Sequence, residues 1–140
     1  MRTLALKGAT SNSIRELIWF ADGMTKQEAL SRLDSAIRSV FRYRAEIQEL
    51  IRTPEHMMDD WNLRGYLEGD CDDISTFIAS VCRALGIAVR FVAIRTDPLD
   101  YEFKHVFCEV APDGTWTGFD ATVPAGTTMI YYGEPMIQSV

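Results

Sequence analysis

The sequence predicts an α+β fold in which N-terminal helices pack on a C-terminal antiparallel sheet. Up to Gly86, apolar residues recur at three-and-four spacing, which is typical of amphipathic helices. After Gly86 the segments become β-branched or alternate between apolar and polar residues, which is typical of strands. Because the helical segments come first and the strands follow, the order favours α+β over alternating α/β. The length of 140 residues suits one domain spanning residues 1–140.

The first helical signals are short. Residues 1–10 carry only Leu4 and Leu6 as an apolar pair, so we expect a strap or a frayed end there. The stretch Ser13–Glu16 has the form of a capping box and predicts a short helix that Gly23 closes.

Two further helices have clear N-terminal signals. A second capping box at Thr25–Glu28 precedes a long apolar stripe that runs to Phe41. Residues 41–50 lose this period and are predicted to form a connecting loop. Thr53-Pro54-Glu55 supplies an N-cap, a proline at the first helical position and an acid in the first turn, so another short helix should begin there.

The last helix and the strands follow one another closely. Asp70 is a suitable N-cap for a helix that Gly86 would end. Pro112-Asp113-Gly114 predicts the turn of a hairpin. The predicted strands cover residues 87–94, 104–110, 115–119 and, at the edge of the sheet, 127–132.

Composition excludes several classes of protein. With 14 basic and 20 acidic residues the formal net charge is −6, so there is no electrostatic case for nucleic acid or an anionic membrane. The basic residues Arg38, Arg42, Arg44 and Arg52 are interpreted as a solvated face. No apolar run approaches the roughly 20 residues of a membrane span, and residues 1–7 do not resemble a signal peptide. Three cysteines, an odd number, indicate free thiols and a reducing, cytoplasmic location.

Cys71 is predicted to stand at the first position of the helix that Asp70 caps. The positive end of a helix is one of the few local environments that favour a thiolate. Helical spacing puts Cys71 on the same side as Ile74 and Ile78, so the thiol should face the sheet. Cys82 and Cys108 are interpreted as small apolar core residues.

His105 and Asp120 are predicted to meet at one end of a hairpin. His105 begins one strand and Asp120 ends the next, on either side of the turn near Gly114. Cross-strand neighbours have Cβ atoms about 4.5–5.5 Å apart, close enough for a carboxylate to orient an imidazole. Together with Cys71 they form a Cys-His-Asp arrangement suited to acyl transfer.

The same residues resemble the transglutaminase-like superfamily. This resemblance extends from about Thr25 to Thr122. The motifs are residues 69–73 (GDCDD), 83–92 (RALGIAVRFV), 105–110 (HVFCEV) and 116–122 (WTGFDAT). The resemblance implies a papain-like core in which Cys71 is the nucleophile, His105 the general base and acid, and Asp120 the orienting carboxylate. It is nearest in style to small stand-alone members from bacteria and phages. A peptide or protein is the expected substrate, and neither a cofactor nor a metal is predicted.

Two features qualify the predicted nucleophile. Asp70, Asp72 and Asp73 surround the thiol with negative charge, which opposes its ionisation, so Cys71 should depend on a cationic His105. The backbone N–H of Cys71 is one natural oxyanion donor. Trp61, Asn62 and Tyr66 are the candidates for a second donor or for substrate binding.

The sequence therefore predicts a cysteine-dependent acyl-transfer enzyme that hydrolyses an amide or peptide bond through a thioester intermediate. Two alternatives to this enzyme stay open. A catalytically silent binding or structural module, possibly related to phage proteins, would keep the fold without turnover. A metal site built from Cys71 and the neighbouring acids is less favoured, because complementing the helix dipole already explains acids at a helix start. The sequence does not indicate an oligomeric state.

Overall fold

The computed structural model describes residues 1–45 and 50–140, and within these ranges the α+β fold is confirmed. The helices, in chain order, are α1 (Arg2–Ala9), α2 (Asn12–Leu17), α3 (Lys26–Val40), α4 (Pro54–Arg64) and α5 (Cys71–Ala84), with a 3₁₀ turn at Ile18–Ala21. The strands are β1 (Phe41–Tyr43), β2 (Leu67–Gly69), β3 (Ala88–Ile94), β4 (His105–Ala111), β5 (Thr117–Phe119) and β6 (Met136–Ser139). No helix in the described ranges is long and apolar enough to cross a bilayer.

Helix α5 lies at the centre of the molecule, between α1 and the sheet. The predicted apolar stripe is buried, and Phe77 and Ile78 have no exposed surface. Ser75 fastens the helix to β4, because its Oγ donates to the carbonyl of Val106 at 3.2 Å and its own carbonyl accepts from Cys108 Sγ at 3.2 Å. The start of α5 is thereby held at a constant place relative to β4.

The larger sheet is antiparallel, with strand order β5-β4-β3-β6. Strand β3 pairs with β4 over its full length, with Ile94 opposite His105 and Ala88 opposite Ala111. Val106, Cys108 and Val110 join the core under the helices, and Phe107 packs with Val92 and Ile94 on the other face. The side chains of β4 therefore alternate between the two faces of the sheet, as in an ordinary strand.

The N-terminal strap predicted for residues 1–10 is wrong, because this segment forms α1. Ala5 is fully buried, and a Cβ added to Gly8 would lie 2.6 Å from the ring of Pro54 and 2.7 Å from Ser80 Oγ. Close packing of small residues stabilises α1 against the rest of the fold. The sequence prediction relied on large apolar residues and therefore missed this helix. Helix α2 also begins earlier than predicted, since Ser11, not Ser13, is its N-cap.

Part of the predicted loop at residues 41–50 is a strand. Phe41–Tyr43 forms β1 and pairs in parallel with β2, with Phe41 opposite Leu67 and Tyr43 opposite Gly69. A three-residue strand is too short to produce a recognisable period. Residues 46–49, which the loop prediction also covers, lie outside the described residues.

The predicted edge strand at residues 127–132 is wrong, and β6 forms four residues later. The backbone N–H of Tyr132 bonds to the carbonyl of Arg95 at 3.1 Å, just beyond β3, and Gly133 then adopts a positive φ of 72°. The chain turns at this glycine before Met136–Ser139 pairs with β3. Both segments are rich in strand-forming residues, and only the turn decides which one joins the sheet.

Candidate active site

A capping box places Cys71 at the first position of α5. Asp70 Oδ1 accepts from the backbone N–H groups of Asp72 at 3.1 Å and Asp73 at 3.3 Å, and Asp73 Oδ2 accepts from the N–H of Asp70 at 3.3 Å. These bonds satisfy helix-start N–H groups that have no partner within the helix. The thiol is therefore held at a defined position, as predicted from the sequence.

Asp73 also connects this helix start to the chain segment before α4. Its Oδ1 accepts from the backbone N–H of Arg52 at 2.6 Å, and the residue is only 1% exposed. A Cβ added to Gly69 would lie 2.5 Å from Asp73 Oδ2, so only glycine fits beside this carboxylate. The sequence indicates the cap but not the contact with Arg52, because that contact depends on the path of the chain between residues 52 and 69.

His105 and Asp120 meet across the hairpin end, as predicted. The distance from His105 Nε2 to Asp120 Oδ2 is 2.6 Å. The other oxygen of Asp120 accepts from the backbone N–H of Thr122 at 2.9 Å and from its hydroxyl at 2.6 Å. Both carboxylate oxygens are engaged, so the carboxylate is fixed in orientation.

Arg38, on α3, braces the segment that carries Asp120. Its Nη2 donates to the carbonyl of Asp120 at 2.8 Å, its Nη1 donates to the carbonyl of Val123, and its Nε donates to Asp34 Oδ1 at 2.7 Å. The solvated face predicted for the arginines is therefore wrong for Arg38, whose side chain is 22% exposed, and also for Arg52, which is 20% exposed. A local charge pattern does not reveal backbone carbonyls that arrive from distant parts of the chain.

The titration of His105 reflects its two neighbours. Burial acts to lower its pKa, but the hydrogen bonds and negative charges of Asp120 and Cys71 outweigh burial and raise the pKa from 6.5 to about 9. For Asp120, burial acts to raise the pKa, and the bonds from His105 and Thr122 outweigh it, so the pKa lies below its ordinary value. The imidazole is thus held as a cation next to an ionised carboxylate.

The thiol and the imidazole line one cleft of about 630 Å³. Cys71 also contributes to the raised pKa of His105, as expected of two groups that border the same cleft. Because Nε2 is engaged by Asp120, Nδ1 is the ring nitrogen left for the thiol. The structure thus pairs His105 with Asp120 and places Cys71 and His105 on the same cleft.

One of three comparisons with known proteins gave a match. The sequence model of the transglutaminase-like superfamily matches residues 19–121, which is more than half of the chain. The chain belongs to the transglutaminase-like superfamily. Comparison with curated proteins gave no match, and neither did comparison with solved structures. The matched range of this transglutaminase-like chain contains the three site residues and Arg38, whereas α1 and β6 lie outside it.

The other two cysteines of this transglutaminase-like chain are core residues, as predicted. Cys82 and Cys108 have no exposed surface, and all three cysteines are free. Burial raises the pKa of Cys82 to about 12 and, with smaller contributions from Cys82 and Asp120, raises that of Cys108 well above 9. Cys71, which is partly exposed in the cleft, differs from both.

The residues proposed as a second oxyanion donor or for substrate binding lie elsewhere. Trp61 packs edge-on against Phe77 with ring centroids 6.4 Å apart, and Asn62 is exposed on α4. The Arg42 guanidinium carbon lies 3.9 Å from the ring centroid of Tyr66. None of the three is among the described residues that line the cleft.

Tyr43 lines the cleft instead, and the sequence did not point to it. Strand β1 pairs with β2 so that Tyr43 lies opposite Gly69, two positions before Cys71. Partial burial, then the negative charges of Cys71, Asp70 and Asp72, raise the pKa of Tyr43. The only sequence feature that could have indicated Tyr43 is the short strand β1, which contains it.

Within residues 1–45 and 50–140, no three histidine, cysteine, aspartate or glutamate side chains are grouped closely enough to hold a metal ion. The acids next to Cys71 have other contacts. Asp70 caps α5, Asp73 bonds to Arg52, and Asp72 Oδ1 lies 3.8 Å from Cys71 Sγ.

Proposed function

We propose that the protein is a cysteine-dependent acyl-transfer enzyme. Its substrate is a peptide or protein, and it hydrolyses an amide or peptide bond through a thioester on Cys71. One observation carries the proposal. The 2.6 Å contact of Asp120 with His105 Nε2 leaves Nδ1 for the thiol that borders the same cleft.

Each residue has a defined role in the proposed reaction. His105 Nδ1 takes the proton of Cys71, and the thiolate sulfur attacks the carbonyl carbon, forming a C–S bond. The tetrahedral intermediate collapses, the C–N bond breaks, and His105 returns the proton to the leaving amine. A water molecule, deprotonated by His105, then attacks the thioester, and the carboxylic acid leaves as the C–S bond breaks. Asp120 keeps the imidazole oriented and stabilises its cation.

The raised pKa of His105 fits this order of events. An imidazole with a pKa of about 9 keeps, at neutral pH, the proton that it takes from Cys71, and its positive charge then favours the thiolate of its neighbour. Hydrolysis is proposed over cross-linking because water always has access to an open cleft, whereas an amine acceptor would need a site of its own. The free thiols suit a reducing compartment such as the cytoplasm.

Two donors are proposed for the oxyanion. The backbone N–H of Cys71 lies at the positive end of α5, where donors point out of the helix. Tyr43 is proposed as the second donor, since its hydroxyl keeps its proton at the same cleft. Replacement Tyr43→Phe should lower turnover about tenfold, whereas the exposed Tyr101→Phe should not change it. Equal rates for both variants would remove Tyr43 from this role.

Selective alkylation tests the nucleophile. Treating native protein with iodoacetamide should modify Cys71 and leave Cys82 and Cys108 intact, because those two thiols are buried and hold their protons. Peptide mapping by mass spectrometry locates the label. The variants His105→Ala and Asp120→Asn should slow the labelling of Cys71. Equal labelling of all three thiols in folded protein would overturn the proposal.

One observation supports a second candidate, a binding or structural module without turnover. The thiol of Cys71 lies 3.8 Å from Asp72 Oδ1, and this carboxylate opposes formation of the thiolate. A module of this kind would bind peptide in the cleft and form no thioester. Intact-mass analysis with peptide thioester substrates separates the two, because only the enzyme forms an acyl adduct that is lost in Cys71→Ala.

A further inference from the structure

Strand β6 presents an open sheet edge beside the candidate active site. It is the last strand in the order β5-β4-β3-β6, and in the described part of the chain no strand pairs with its outer side. All four of its residues are exposed. Backbone groups along such an edge can pair with an added chain.

The direction of the backbone groups follows from the pairing with β3. The N–H of Val140 donates to the carbonyl of Val89 at 3.2 Å. Hydrogen-bonded and non-bonded pairs alternate along an antiparallel ladder, so Gln138 is the next residue bonded to β3. The N–H and C=O groups of Ile137 and Ser139 therefore point away from the sheet, toward the free edge.

This edge is continuous with the cleft. Residues 136–138 line the same cleft as Cys71 and His105. Met136 is paired with Ala93, and His105 is paired with the next residue of β3, Ile94, so the Met136 end of β6 is the catalytic end. Residues later in β6 lie progressively farther from this end.

The mouth of the cleft is rich in large apolar side chains. Tyr43, Phe103, Met136 and Ile137 line it and are 58%, 43%, 55% and 48% exposed, respectively. Exposed apolar groups concentrated at a cleft are typical of a binding surface for apolar side chains. A small polar amide would leave these groups in water.

We propose that the substrate is an extended peptide with apolar side chains that adds an antiparallel strand to the outer edge of β6. The inference rests on the proposed function, because it assigns the acyl-donor side of the peptide to this edge. The donor segment must run toward Cys71 with its carbonyl end leading, that is, from the Ser139 end to the Met136 end of β6. This direction is opposite to that of β6, so the pairing is antiparallel.

A series of peptide electrophiles tests the proposal on the wild-type protein. The probe is an acetylated pentapeptide of valine and leucine that ends in a vinyl sulfone, prepared in versions with one N-methylated amide at each position in turn. Only every second amide of a paired strand faces its partner. The rate of Cys71 labelling should therefore fall about threefold to tenfold at alternate positions and stay unchanged at the positions between.

A matched pair of variants tests the same edge from the protein side. Ile137→Pro removes an outward N–H at an edge position that tolerates proline, whereas Ile137→Val keeps the N–H and the branched shape. Labelling by the pentapeptide probe should fall about threefold to tenfold in Ile137→Pro and stay near the wild-type rate in Ile137→Val. Labelling by iodoacetamide, which makes no strand contacts, should be unchanged in both.

Iodoacetamide and the pentapeptide probe distinguish a failure of the proposed function from a failure of the inference. If iodoacetamide does not select Cys71, the proposed function fails. If it selects Cys71 but N-methylation has no period-two effect, only the inference fails, and this holds even if Ile137→Pro does not fold. A dimer in solution that Ile137→Pro dissociates would assign the edge to a second copy of the chain and would also overturn the inference.

Discussion

Two buried carboxylates serve the candidate site, and they are held in different ways. Asp73 is 1% exposed, and one of its partners, Asp70, is three residues away on the same helix start. Asp120 is 8% exposed, binds His105 from 15 residues away, and is braced by Arg38 from 82 residues away. The first is held largely by local structure and the second by the packing of three separate elements.

The difference divides the site into a scaffold part and a chemical part. Asp73 contacts backbone N–H groups and keeps Cys71 at the end of α5, so its loss should reduce stability. Asp120 contacts His105, the side chain that we propose moves protons, so its loss should reduce turnover. Variants at the two positions should therefore fail in different assays.

The largest effect is expected for Asp120→Asn. The amide cannot stabilise the imidazolium and can hold the wrong tautomer of His105, so kcat should fall about 10²–10⁴-fold while the protein stays folded. Turnover of an acyl substrate and circular dichroism measure the two properties. Asp113→Asn, at the turn of the same hairpin, is the matched control and should be fully active. Unchanged turnover in Asp120→Asn would remove this residue from the chemistry.

Asp73→Ala should act mainly on stability. It leaves the N–H groups of Arg52 and Asp70 without their acceptor at a buried place, and each such group costs about 1–3 kcal/mol. The free energy of unfolding should therefore fall by about 2–6 kcal/mol, measured by urea titration. Asp59→Ala, at an exposed position of α4, should change it by less than about 0.5 kcal/mol. A stable but inactive Asp73→Ala protein would break the division between the two parts.

The pH dependence of stability should report on the His105–Asp120 pair. Folding raises the pKa of His105, so this contribution to stability is full below pH 6.5 and is lost as the pH rises through about 9. Folding lowers the pKa of Asp120, so its contribution is present above 3.8 and is lost as the pH falls through the lowered value. Titration of the imidazole by NMR should give a midpoint near 9 in the wild type and a lower one in Asp120→Asn. A wild-type midpoint of 6.5 or below would contradict the pairing.

The same division explains what the sequence could predict. The capping box at Asp70–Asp73, the turn at Gly114 and the alternation in β4 are local patterns, so the positions of Cys71, His105 and Asp120 followed from them. Packing between distant segments leaves no local pattern. Helix α1 depends on a close approach of Gly8 to Pro54, and the choice of β6 over residues 127–132 depends on a turn at Gly133.

Arg38 is the clearest case of a site residue that only the fold reveals. Its three hydrogen-bonded partners lie on its own helix and on the segment that follows β5. The planar guanidinium has donors in fixed directions, which lets one side chain hold two carbonyls and a carboxylate at once. Arg38 is not among the described residues that line the cleft, so we propose that it acts on the imidazole through Asp120, as a positioning residue.

The smallest of the expected effects follows for Arg38→Met. The segment that carries Asp120 should become less well held, so kcat should fall about tenfold with little change in KM, and the pKa of His105 should move down from about 9. Arg32→Met, on the same helix and stacked over Phe20, is the matched control and should keep both values. If Arg38→Met loses stability while the imidazole titration stays unchanged, Arg38 belongs with Asp73 in the scaffold. If the imidazole titration shifts while the protein stays stable, Arg38 belongs with Asp120 in the chemical part. The elements that position this carboxylate then include α3 as well as the hairpin.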